Sequence, residues 1–291
     1  MLRLCHGTVR LAISMISSMI LFLRRIWAFL ARDWRLELSY RMQFFLRILS
    51  ILIIVTTLFF ISRIFTGFTD PRFTQWRDPL AAWLTGLAVL NYFMTGFSSL
   101  ANAIRQEQVQ GTLESVLMTP ISVPTIIVAS SAWDFVQATF FSFLYLFFGW
   151  LFFDVHYRGS FLLALGFLLL TTVVLSCLGI LSASFAMVFK RGDPFGVFLG
   201  AGSALFSGVF FPTQLINQYA GPGVAGISRI LPPTYGLEGI RRVLIEGEGF
   251  AQVREPFLTL VVFLAVLLPF SLWVFDRAVR RAKREGSLIH Y

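Results

Sequence analysis

The stretch Arg105–Pro124, RQEQVQGTLESVLMTPISVP, decides how this chain is read. It is a polar island between two long apolar runs. No charged residue occurs between Asp78 and Arg105, and beyond Glu114 the next charge is Asp134. A piece this polar does not lie in hydrocarbon, where unsatisfied polar groups find no water. It is a loop in water that turns the chain back. Gly111 permits a break. Thr112 is placed to cap a short helix from Leu113 to Met118, with Glu114 early in it, where a negative charge suits the dipole. Leu113, Val116 and Leu117 recur at three- and four-residue spacing and form one apolar stripe. Pro120 and Pro124 stop the helix. The expectation is a short amphipathic rod slung between two membrane spans. Its stripe either docks on another protein or rests on the lipid surface, and the spacing alone leaves both open.

Composition sets the class. The 291 residues are 57% apolar and only 13% charged, with a mean hydropathy of +0.76. Soluble chains carry about 25% charged residues. This is an integral membrane protein, and with 33 Phe much of its surface meets lipid. The net charge of +9 does not mark a nucleic-acid binder, because the arginines flank apolar runs and do not cluster on a polar domain. Cys5 and Cys177 form no disulfide or metal pattern, and His6, His156 and His290 have no ligand spacing.

Six spans follow from the apolar runs: about 42–61, 80–103, 125–153, 161–189, 195–211 and 256–275. Residues 1–41 form a separate N-terminal segment. Leu11–Leu23 is too short to cross, and Arg24 and Arg25 replace the small residues of a cleavage site. From Ile26 to Tyr40, apolar and aromatic residues mix with Arg32, Asp33, Arg35 and Glu37, the pattern of a helix lying in the interface. Arg47, at the start of span one, is expected to snorkel to the surface. Residues 277–291 are a basic tail. An even number of spans puts both termini on one side. With the termini inside, sixteen of the 24 Lys and Arg lie on the cytoplasmic side and eight outside. The positive-inside rule then places both termini and the Arg105–Pro124 loop in the cytoplasm of a cell whose plasma membrane the chain crosses.

The segment from Pro212 to Gln252 is external yet largely apolar. From Pro233 a helix is expected, since proline suits a first turn. Leu237, Ile240, Val243 and Leu244 form one face. Glu238, Arg241 and Arg242 are assigned to the other. Beside a span ending at Phe210-Phe211-Pro212, this suggests a re-entrant pair dipping into the outer leaflet. The alternative is an ordinary surface loop.

Two motifs carry a resemblance. Glu107, Gly111-Thr112-Leu113-Glu114 and Thr119-Pro120 look like the first cytoplasmic loop of ABC-2 type permeases, the membrane subunits of ABC exporters. Ser207-Gly208-Val209-Phe210-Phe211-Pro212 followed by Leu231-Pro232-Pro233-Thr234-Tyr235-Gly236-Leu237-Glu238-Gly239-Ile240-Arg241 resembles that family's fifth span and external re-entrant helices. The resemblance runs from about residue 26 to the C-terminus. It implies an all-α membrane fold of six helices with an interfacial helix first, usually dimeric. It further implies a coupling helix at Gly111–Pro120, Leu117 included, that docks into a separate ATPase. Two ATPase copies, a second permease copy or paralogue, and membrane lipids are then the partners. The cargo expected for such aromatic spans is amphipathic, lipid-like or drug-like, or a glycan.

The chain itself has no phosphate loop. G-x-x-x-x-G-K-[ST] is absent, and lysine occurs only at 190 and 283. ATP and Mg belong to the partner, no cofactor is expected in this chain, and it is not an enzyme by itself. Asp134 is the one charge inside a span. It either serves a pathway or pairs with a neighbour near the inner end of span three. Asn91 and Gln137 either line that pathway or bond helix to helix. Gly196 and Gly200 form a G-x-x-x-G, and Phe210 and Phe211 either close a pathway by dewetting or face lipid. Two other readings remain: an ion-coupled transporter or channel using Asp134, and a membrane-embedded assembly protein.

Overall fold

The computed structural model describes residues 41–65, 78–109, 123–189, 194–211 and 221–284, with seven single positions between 24 and 37. Its helices are α1 (Arg41–Phe65), α2 (Pro79–Val109), α3 (Val123–Phe153), α4 (Phe161–Phe189), α5 (Pro194–Phe206), α6 (Gly221–Ile230), α7 (Pro232–Arg241) and α8 (Arg254–Arg284). A π turn, Arg242–Glu246, continues α7. Among the described residues there are no strands. The fold is an all-α membrane fold.

Five helices are long and apolar enough to cross a bilayer: α1, α2, α3, α4 and α8. Four of the expected spans match in position and grow longer at one or both ends. α2 continues past the expected Ala103 to Val109, because Arg105, Gln106, Glu107 and Gln108 are good helix formers with no breaker among them. At 31 residues, α2 is about 46 Å long, against roughly 30 Å of hydrocarbon. α8 likewise runs beyond Phe275 into the basic tail, to Arg284.

The fifth expected span differs. Its helix, α5, has 13 residues and is about 20 Å long, short of a crossing. The chain leaves the helix at Ser207 and turns through Gly208, which sits at φ 83°. That left-handed conformation is one that glycine adopts at helix ends without strain.

α2 is the central post. α3 and α4 each pack along it, α1 leans on α3 and α2, and α8 packs along α4. α5 lies against α2 and α4. α7 is tucked among α4, α8 and α2. Gly236 lies against Thr171, Gly239 against the Phe167 ring, and Gly159 against the Val243 carbonyl. From Thr171 back to Gly159 is about 18 Å of rise at 1.5 Å per residue, so α7 starts deep beside α4 and climbs to its outer end. Near the other end, Trp34 meets Trp133 edge-on at 5.8 Å, which brings the segment before α1 against the start of α3.

α2 meets α4 at a pair of glycines. A Cβ at Gly179 would lie 2.2 Å from the Gly96 carbonyl oxygen. These two glycines let the α2 and α4 backbones approach closely. Gly200 meets the flexible end of Met94, with the Phe97 ring behind it at 3.8 Å. Gly166, on the same helix α4, faces open space: a methyl added there would meet nothing within 4 Å. Gly179→Ala is expected to force α2 and α4 apart and lower stability by about 1–3 kcal/mol. Gly166→Ala is expected to be neutral within ~0.5 kcal/mol. Thermal unfolding midpoints of the two variants in detergent compare them directly.

Candidate functional site

The site is built where α5 stops. A helix that ends inside a bundle leaves its last carbonyls without intrahelical partners. The turn that follows α5 adds further buried carbonyls, and there a single side chain takes two of them. Arg241, 3% exposed, donates from one terminal nitrogen to the Gly208 carbonyl at 2.6 Å. The other terminal nitrogen donates to the Val209 carbonyl at 3.0 Å and to the Ala82 carbonyl of α2 at 2.8 Å. One guanidinium thus joins α7, the end of α5 and the first turn of α2. Its positive charge also faces the negative end of the α5 dipole. The planar fork with five donors suits this arrangement, as an ammonium does not.

The space is made by Gly86. A Cβ there would lie 2.7 Å from the Val209 oxygen and 2.9 Å from an Arg241 terminal nitrogen. Trp83, one turn earlier on α2, donates its indole N–H to the Phe210 carbonyl at 3.0 Å. Gly208, Val209 and Phe210 therefore all have their carbonyls held by side chains. The Phe210 and Phe211 rings remain at the rim, 38% and 54% exposed.

Arg241 corrects the sequence assignment. It does not share the polar face of α7 with Glu238 and Arg242. At 100° per residue it falls about 40° from Leu237, inside the apolar arc, whereas Arg242 falls about 140° away. The other assignments on this helix hold. Leu237, Ile240, Val243 and Leu244 are buried. Glu238 and Arg242 approach to 3.5 Å, and Arg242 reaches Glu248 at 2.7 Å. Burial raises the Glu238 carboxyl above its ordinary range, with Arg242 opposing the shift.

The remaining predicted residues divide among separate places. Pro232 and Pro233 are buried at the start of α7. Tyr235 donates to the Arg229 carbonyl at 2.9 Å and leans on Phe263 of α8. Asn91 binds α2 to α3 by donating to the Ala138 carbonyl and the Ser142 hydroxyl. Gln137 accepts from Arg47 of α1 at 3.3 Å. Arg47 is exposed yet stays in contact with α3. It lies over the Phe141 ring at 3.9 Å, with Asp134 and Glu37 within electrostatic reach. Asn91 and Gln137 thus sit at two different helix interfaces. Gly111, Thr112, Leu113, Glu114, Leu117 and Pro120 lie outside the described residues, as does Pro212. Glu107 is within the backbone of α2.

The sequence model of the ABC-2 type transporter family matches residues 24–245. The chain belongs to the ABC-2 type transporter family. That match contains the Arg105–Pro124 stretch, the broken span and Arg241, and ends just before α8. The chain matches no curated protein and no solved structure. An ABC-2 protein with these helices is a multi-pass membrane permease. Members of the family are transmembrane subunits, not catalysts themselves, and generally partner with an ABC ATPase.

Removing the Arg241 fork leaves three buried carbonyls to find other donors, and each such loss costs about 1–3 kcal/mol. Arg241→Met is expected to loosen the Ser207–Phe211 turn. A cysteine at Phe210 then reacts severalfold faster with a membrane-impermeant maleimide than in the parent. Arg241→Lys keeps the charge but not the fork and is expected to fall between the two.

Proposed function

We propose that this chain is the transmembrane permease subunit of an ATP-driven ABC-2 exporter. The observation that supports it best is the family match across residues 24–245, with the polar Arg105–Pro124 stretch set between two membrane-length helices. A separate ATPase supplies ATP and Mg chemistry. Two ATPase copies would serve a pair of permeases, either two copies of this chain or this chain and a paralogue. The cargo is amphipathic, lipid-like or drug-like, or a glycan. The membrane is the cytoplasmic membrane, with both termini inside. Arg241, counted among the eight external cations, is buried in the bundle, so the positive-inside bias is sixteen against seven.

In this reading the ATPases grip the 111–120 rod and move it when they close. α2 runs unbroken from Pro79 to Val109 and ends two residues before that rod. Its other end is held by Arg241 to the stub of span five. A push on the rod tilts α2, and the tilt is felt at the Phe210–Phe211 turn. Asp134 lies within electrostatic reach of Arg47, which gives the ion-coupled alternative less support.

Leu113→Asp with Leu117→Asp is the direct test, made on the permease co-expressed with its ATPase. The expected outcome is loss of transport-coupled ATP hydrolysis, with helical content and membrane insertion unchanged. Normal transport by the double variant removes the docking role of the rod. Transport by the purified chain without any ATPase removes the proposal itself.

A further inference from the structure

A second feature lies on the opposite side of α2 from the α5 stub and does not rest on the transport reading. α3 and α4 are consecutive, joined by the short turn 154–160. Each packs along α2, yet they make little contact with one another. Between them, over α2, is a cleft of about 150 Å³ closed at its outer end by Ile240 and Leu244. An apolar cavity of about that size accommodates a benzene-sized hydrocarbon and excludes water.

The wall hydroxyls have no free donor to offer. Four polar side chains line the cleft: Thr85, Tyr92, Thr139 and Ser142. Thr85 donates to the Ala81 carbonyl at 2.8 Å. Ser142 donates to the Ala88 carbonyl at 2.6 Å. Tyr92 donates to the Thr139 hydroxyl, which itself donates to the Phe135 carbonyl. What faces the space is methyl, methylene and ring. A sugar, a peptide or a hydrated ion finds no partner there.

The mouth opens sideways. Phe143 on α3 and Phe161 and Leu165 on α4 line it and are exposed. α3 and α4 are both membrane-length helices, so the mouth faces hydrocarbon, not water. The 154–160 turn above it carries exposed groups of both signs, Asp154, His156 and Arg158. That rim matches a zwitterionic headgroup better than one of single charge.

We propose that the α3–α4 cleft binds the end of one acyl chain of a zwitterionic membrane phospholipid, entering laterally between the two helices. The alkyl end fills the space over Ala88 and Ala164. The headgroup stays level with the 154–160 turn. The bound chain completes a contact that α3 and α4 do not make with each other.

The test uses the full chain in phosphatidylcholine nanodiscs with a trace of phosphatidylcholine carrying a diazirine near the acyl terminus. After irradiation, adducts are mapped by peptide mass spectrometry. Adducts on the cleft walls are expected to exceed those on the exposed α8 residues Leu272 and Trp273. Ala88→Phe and Ala164→Phe fill the floor. Each is expected to cut the cleft adducts roughly ten-fold, the ratio that losing about two buried methylenes gives, with the α8 adducts unchanged. Leu165→Trp narrows the mouth from an exposed position and is expected to do the same if the floor variants fold poorly. Equal labelling of cleft and α8, or labelling that Leu165→Trp leaves unchanged, overturns the proposal. So does efficient chain-to-chain cross-linking through Phe143, which makes the cleft an interface between copies.

Discussion

A charged group buried without water needs acceptors, and the two terminal nitrogens of Arg241 find three in the backbone of two other segments. This is the constraint that the external half of the bundle depends on. The chain can leave α5 short of a full crossing because the carbonyls of the turn that follows are bound by side chains. In hydrocarbon that task cannot fall to solvent. Hydrogen bonds from an ionised donor are roughly twice as strong as neutral ones, and here three of them converge on one side chain. The same charge would be prohibitive in the cleft between α3 and α4, where every carbonyl is already engaged in a helix. Its position is fixed by the broken span, and the broken span is fixed by it.

The depth of α7 follows from the same interaction. The fork must reach Gly208, Val209 and Ala82 at once, so α7 has to lie beside the first two turns of α2. Its small residues allow this. Gly236 and Gly239 let α7 sit against Thr171 and Phe167 of α4 with no side chain between. Leu237 and Ile240 then fill the space beneath, in one cluster with Phe93, Phe97, Phe167 and Val209. Apolar burial holds α7 in place, but it is non-directional. The guanidinium supplies the direction, because three carbonyl positions admit one orientation of the helix. An apolar residue at 241 would leave α7 free to slide along α4.

The span helices were legible in the sequence because a bilayer imposes a length and a polarity that few other settings impose. The ends were less legible. Nothing in Arg105–Val109 marks the true end of α2, since helix formers continue past the apolar run and only the loss of hydropathy signals the water surface. The early end of α5 was hidden for the opposite reason. Ser207–Phe211 is as apolar as the helix before it, so hydropathy runs on where the hydrogen bonding stops. Arg241 was misassigned by charge alone. An arginine next to another arginine and near a glutamate reads as a solvated face, yet the helical wheel puts Arg241 beside Leu237 and Arg242 away from it. The angle was available in the sequence. What was not available was the partner, because carbonyls leave no trace in side-chain identity. Trp83 was missed for the same reason: its acceptor is the backbone of Phe210. The α3–α4 cleft had no sequence signal, since it results from two helices that both prefer α2 to each other.

α2 ties these features together. Two-thirds of its apolar window is enclosed by protein, against 11% for α1 and for α8. A helix so enclosed cannot move without moving its neighbours, whereas α1 and α8 have most of their surface outside the bundle. Its outer turns hold the Arg241 fork through Ala82 and make room for it through Gly86. Its middle meets α4 at Gly96 and binds α3 through Asn91. Its inner end runs on to Val109, two residues from the rod that the proposed ATPase would grip. Force applied at that end has one rigid route outward, and the route ends at the turn whose carbonyls Arg241 and Trp83 hold. The bonds that make a short fifth span tolerable are therefore also the bonds that a displacement of α2 would strain first. In the proposed mechanism no separate hinge is needed at that end, because the short helix would be the movable part and the buried arginine would set how firmly it is held.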